Sequence, residues 1–194
     1  MSAQMPPELA ALDAAYIAIA RDARALAEGL TDERAAWRAQ PGSWSVAECV
    51  DHLATANRVY LAAMEPSAER ALAGGRRSRR PALPGLIGGW FVRSLEPPVK
   101  AKMKHPKKIT PRTSPPFSDA MSAFLASQED VRRFLQTYAG IDLASVRFPN
   151  PFIAGVRFSL ATGLHVIAAH DRRHLWQAWN VRRKAERGAA RNAD

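Results

Sequence analysis

Apolar residues recur every three or four positions along four stretches of this chain, and each stretch predicts an amphipathic helix. The first runs from about Pro7 to Glu28, with Leu9, Leu12, Tyr16, Ile19 and Leu26 on one stripe and Gly29 as a natural stop. Thr31 can cap a short turn that leads through Trp37 to a loop at Pro41-Gly42. The second helix has the best-defined start. SVAE at Ser45 to Glu48 is a capping box, in which the Ser45 hydroxyl accepts from the Glu48 amide and the Glu48 carboxylate reaches back to Ser45. Trp44 precedes the cap and is expected to pack on Cys49 as a hydrophobic staple. Val50, Leu53, Val59, Tyr60 and Met64 continue the apolar stripe, which fades before Gly74-Gly75.

The third helix is expected from about Ser118 to Tyr138, with Met121, Phe124, Leu125, Val131, Phe134 and Leu135 inward. PNPFIAGVRFSL then turns into a fourth, from about Ser159 to Lys184. Between the second and third helices, residues 74–116 form a long connection rich in Pro, Gly and basic residues, where GLIGGWFVRSL (Gly85 to Leu95) can make a short helix against the body. Connections of this length inside compact domains are mobile or functional. No alternating strand pattern and no internal repeat stand out. The expectation is an all-α, four-helix bundle with a long crossover between helices 2 and 3, built as a single domain over residues 1–194 with a flexible basic tail at 185–194.

Length and composition fit that architecture. The chain has 194 residues and is 47% hydrophobic, enough for one substantial core. No apolar run approaches the roughly 18 residues that cross a bilayer, and the N-terminus lacks the pattern of a signal peptide. One cysteine, Cys49, excludes an internal disulfide and suits a reducing compartment, so a cytoplasmic protein is expected. The net charge of +10 would attract polyanions. Its excess lies in RRSRR (Arg76 to Arg80), in KAKMKHPKKITPR (Lys100 to Arg112) and in the tail from Arg182 to Arg191. None of the three interleaves aromatic with basic residues as a base-stacking surface does. Solvated surface is the first reading of these runs, and a polyanion or membrane-surface site the second.

The candidate chemistry sits in HDRRHLWQ. His170 and His174 are four residues apart and therefore project side by side from one helical face, with Gln177 one turn further on. Ile167 and Val181 share that face, so it is the face the helix buries, while Arg172, Arg182 and Arg183 lie opposite. Two buried imidazoles need partners. Ordinary core hydrogen bonds would serve, and so would a metal ion, since imidazoles at this spacing reach one ion. His52, on the second helix, also faces inward and can converge with them, giving three histidines and an open position. His105, beside Pro106, suits a surface role, and His165, about 140° round the helix from His170, cannot easily join the pair.

PGSWSVAECVDHL followed by AAHDRRHLWQ resembles the DinB/YfiT-like superfamily in its tryptophan-serine cap, its second-helix histidine and its closing H-x-x-x-H-x-x-Q. The similarity extends from Leu9 to Arg183. It implies a four-helix bundle with a divalent metal, zinc or nickel, held by His52, His170 and His174, and relatives that often pair into homodimers. It also implies activities on small molecules: thiol-dependent transfer or isomerisation, in which a low-molecular-weight thiol attacks an electrophile, or metal-dependent hydrolysis. Gln177 can bond a ligand histidine from the second shell, and Glu48 can do the same or simply complete its cap. Asp51 and Asp171, each next to a histidine in sequence, are expected to point elsewhere as surface acids. Trp176 and Trp179 suit packing, and Cys49 a buried thiol. The alternative is a non-catalytic bundle that engages anionic partners through its basic connection and tail, although nothing in these helices resembles a motif that reads a nucleic-acid groove.

Overall fold

The computed structural model describes residues 5–98 and 106–191. They form six helices: α1 (Pro7–Ala27), α2 (Asp32–Ala36), α3 (Val46–Ala73), α4 (Leu86–Leu95), α5 (Phe117–Thr137) and α6 (Leu160–Arg191). A small antiparallel hairpin, β1 (Arg147–Pro149) with β2 (Arg157–Ser159), precedes α6. The long helices pack as a bundle. α3 lies against α5 and α6, and α1 closes the other side against the same two helices.

The helix boundaries follow local chemistry. α3 begins at the capping box read from SVAE: Ser45 N donates to Glu48 Oε2 at 2.9 Å, and Glu48 N donates to Ser45 Oγ at 3.2 Å. Thr31 caps α2 through Arg34 N. α1 ends at the Glu28-Gly29 turn, where Gly29 takes φ +67°. The core between the helices is built from the expected stripes, with Tyr16, Leu53, Met64, Phe124, Leu135 and Ile167 fully buried. At Gly163 the packing excludes a side chain: a Cβ there would come within 2.8 Å of the Phe148 ring and 2.9 Å of Met64 Sδ. Tyr16 Oη donates to Leu164 O at 2.6 Å, a buried tie from α1 to α6.

Several expectations are corrected. β1 and β2 were not anticipated, because three residues per strand are too few to show alternation. The register Phe148↔Phe158 turns both rings inward, and Asn150 Oδ1 shapes the turn by accepting from Phe152 N and Ile153 N. The fourth long helix runs past its expected end near Lys184, since α6 continues to Arg191. Arg182 supports that stretch by pairing with Glu186 at 2.8 Å and donating to Leu26 O at 2.7 Å. The connection is also less loose than its composition suggests. It contains α4 and a single 3-10 turn at Lys107–Ile109 that reaches the histidine end of α3. His105 lies outside the described residues.

Candidate metal centre

His52 enters from the second turn of α3, and His170 and His174 from consecutive turns of α6. Because α3 and α6 pack face to face, the three rings meet. Ring centroids are 5.0 Å apart for His52 and His170, 4.5 Å for His52 and His174, and 4.6 Å for His170 and His174. Each offers a ring nitrogen, and these nitrogens all lie within 4.8 Å of one another. His52 is fully buried, whereas His170 and His174 keep part of their surface open.

The hydrogen bonds around the rings decide which nitrogens are available. His52 Nδ1 lies 2.5 Å from Ile109 O, and a carbonyl only accepts, so Nδ1 carries the proton and Nε2 keeps its lone pair. His174 Nδ1 faces Gln177 Oε1 at 3.0 Å, which again leaves Nε2 as the lone-pair nitrogen. His52 Nε2 and His170 Nε2 stand 3.2 Å apart. A tetrahedral zinc with bonds of about 2.0–2.1 Å separates its ligand nitrogens by about 3.3 Å, so this spacing fits a shared ion. Protonation also favours ligation. Burial, then the neighbouring His52 and Arg173, push the pKa of His170 down to about 3. Burial and the same electropositive surroundings, with His170 first among them, hold His174 well below the ordinary imidazole range against the opposing pull of Gln177. Neutral imidazoles are the ligating form. The donor set therefore fits a divalent ion.

The surrounding residues divide into those that build the cluster and those that do not touch it. Trp44 packs against His52, with ring centroids 4.7 Å apart, and against His174 at 5.6 Å. The indole wall covers two of the histidines. Glu48 completes the capping box, and its other oxygen accepts from Arg38 Nη2 at 2.6 Å, so both carboxylate oxygens are engaged. Cys49 is buried, and burial followed by the Glu48 charge pushes its thiol pKa up, so the protonated form persists.

Neither Asp51 nor Asp171 is a surface acid. Asp51 is buried and accepts from Arg112 N and Nε, both at 2.8 Å, which pins the connection over α3. Asp171 is completely buried on the side of α6 facing α3 and α5. Its Oδ2 accepts from Gln128 Nε2 at 2.8 Å and Asn57 Nδ2 at 3.3 Å. A residue adjacent to one of these histidines is rotated about 100° from it, and in a bundle that rotation leads to another packed helix rather than to solvent. Trp179 packs on the core and donates to Asp22, whereas Trp176 is 37% exposed, less buried than a packing residue. His165 stands apart against the backbone of Ala82.

Sequence reasoning missed two contributors, the Ile109 carbonyl and Arg173. The carbonyl carries no side-chain signal. Arg173 is 8% exposed, and its charge helps keep the neighbouring imidazoles neutral. Its position three residues beyond His170 was the available clue.

A three-nitrogen cluster on two bundle helices with one partly open side defines a class: helical proteins with a site able to hold a metal ion. The chain belongs to the DinB superfamily, whose family model matches residues 15–178. No curated protein and no solved structure matches it.

Proposed function

We propose that this protein is a divalent-metal-dependent enzyme that joins a low-molecular-weight thiol to a small electrophilic substrate. The long helices α1, α3, α5 and α6 serve as the four-helix bundle of a single domain. His52, His170 and His174 hold the ion, with zinc or nickel suited to an all-imidazole set. The observation that carries the reading is the pair of Nδ1 contacts, to Ile109 O and Gln177 Oε1, which aim the Nε2 lone pairs of His52 and His174 at one point.

Three protein ligands leave a fourth position for chemistry, and a bound divalent ion supplies Lewis acidity that lowers the pKa of a thiol or water there. The residues of the chain do the rest. Gln177 and Ile109 fix the ring orientations, Trp44 covers two of the rings, and Arg173 disfavours their protonation. His170 and His174 are the partly exposed members of the cluster. Thiol transfer suits this site better than hydrolysis because the neighbouring acids are occupied. Glu48 is bound to Ser45 and Arg38 and Asp51 to Arg112, while Asp171 turns away from the cluster toward Asn57 and Gln128. A hydrolase that activates water needs a general base, whereas a thiol brings its own nucleophile and can lose its proton to solvent.

The test is turnover of an electrophilic probe such as monochlorobimane by zinc- or nickel-loaded protein, with cysteine, glutathione, mycothiol and bacillithiol in turn. Metal-dependent conjugation by the wild type that disappears in His174→Ala supports the reading. Hydrolysis of ester or amide probes in the absence of any thiol would replace it.

A further inference from the structure

We infer that α4 and the arginines before it form a surface that binds anionic phospholipid membranes. No helix among the described residues is long and apolar enough to cross a bilayer, so this is attachment from one side.

α4 is held by one face and shows the other. Gly88 is buried so tightly that a Cβ would fall 2.5 Å from Thr162 Oγ1 of α6, and Leu95 is buried on the same side. The opposite face is apolar and exposed: Leu86 is 95% accessible, Ile87 80% and Trp90 65%, with Leu83 at 52% just before the helix. Within the helix, the spacing i, i+1, i+4 puts Leu86, Ile87 and Trp90 on one stripe. Scattered exposed apolar residues are ordinary, but a stripe this dense on a single short helix requires an occupant.

Charge identifies that occupant. Residues 74–112 carry eleven Lys or Arg and one acid, Glu96, a surplus equal to the net charge of the entire chain. The remainder holds 17 basic and 17 acidic residues and is neutral. The single acid is already neutralised, since Glu96 Oε2 accepts from Arg172 Nε at 2.9 Å. Immediately before the stripe, Arg76, Arg77, Arg79 and Arg80 are all exposed and line a surface cleft at the end of α3. Arg93 borders the stripe on α4 itself. An apolar stripe containing an interfacial tryptophan and preceded by exposed arginines, which outnumber the one acid of their cleft, Asp142, is the pattern that seats acyl-chain boundary and phosphate headgroups together. Nucleic acid would use the arginines and leave the stripe uncovered.

Flotation with vesicles tests this, using the intact metal-loaded protein. The wild type should float with vesicles of phosphatidylcholine mixed with phosphatidylglycerol, and weakly with phosphatidylcholine alone. Arg79→Gln with Arg80→Gln should weaken partitioning about 25-fold, at about fivefold per arginine. Leu86→Ser, Ile87→Ser and Trp90→Ser together should weaken it about 100-fold or more. All five positions are exposed, so thermal melting and metal content should match the wild type in both variants, which separates this proposal from the metal site. Failure of the wild type to float overturns the proposal. So does duplex DNA binding that the serine variant retains undiminished, or a solution dimer that the serine variant dissolves.

Discussion

α3 and α6 share two polar clusters within about a turn of each other, and their chemistry is opposite. In the first, His52, His170 and His174 turn nitrogen lone pairs toward a common point, with the Nδ1 of His52 and of His174 held by an oxygen acceptor. In the second, Asn57, Gln128 and Asp171 bind one another through Asp171 Oδ2, while Asn57 Oδ1, Gln128 Oε1 and Asp171 Oδ1 lie buried with no protein partner. The first cluster gathers ring-nitrogen lone pairs and keeps some surface open. The second lacks donors and is sealed. Burial therefore acts differently on the two: it holds His170 and His174 neutral and ready to ligate, and it raises the carboxyl of Asp171 to about 7 by penalising the charge, against the pull of its amide donors. We read the second cluster as the tie that sets α6 against α3 and α5, so that the first can converge.

Substitutions that separate the clusters sharpen that contrast. The largest effect is expected from His52→Ala or His174→Ala, which should abolish stoichiometric zinc or nickel binding; the metal-free melting temperature should stay nearly unchanged in His174→Ala and fall in His52→Ala, which leaves the buried Ile109 carbonyl without its donor. Calorimetric titration and circular dichroism read the two halves of that statement. Gln177→Ala should follow, retaining the site but weakening metal affinity about 10- to 100-fold, because His174 loses the acceptor that fixes its tautomer. Asn57→Ala should do the reverse, costing about 1–3 kcal/mol of stability in urea by depriving a buried carboxyl of a donor, with metal stoichiometry kept.

Asp171→Asn tests the sign of the electrostatics. The folded-state pKa of about 7 lies above the ordinary 3.8, so the native protein holds a proton that the unfolded chain has released. The stability this contributes is fully present below about pH 4 and is lost as pH rises through 7. In the metal-free protein, Asp171→Asn should therefore gain on the wild type by more than about 1 kcal/mol between pH 5 and pH 8. A variant that tracks the wild type across that range would remove Asp171 from the account. The smallest effect is expected from Ser45→Ala, which removes one half of the α3 cap at a cost of about 1 kcal/mol in urea unfolding and leaves His52 in place.

The contrast also explains what was legible in the sequence. Helix starts were, because capping chemistry is local: Ser45 with Glu48, and Thr31 with Arg34, need no knowledge of the rest of the chain. The H-x-x-x-H pair was legible for the same reason, since helical pitch alone places both rings on one face. The surroundings of each histidine were not. Asp51 and Asp171 read as surface acids because their partners, Arg112, Asn57 and Gln128, come from segments 43 or more residues away. Trp44 packs on His174, 130 positions on, a contact that no local pattern announces. The hairpin escaped because its strands are too short to carry a period, and the Ile109 carbonyl because a backbone group has no residue type.

The most direct measurement is the coordination of the metal itself. Untagged protein loaded with zinc should hold one ion per chain, and X-ray absorption at the zinc edge should show three imidazole nitrogens at about 2.0 Å with one exogenous oxygen donor. Loss of the imidazole scattering in His52→Ala would confirm that α3 closes the site. A protein that retains neither zinc nor nickel, or one whose shell contains sulfur from Cys49 or protein carboxylates in place of these histidines, would contradict it.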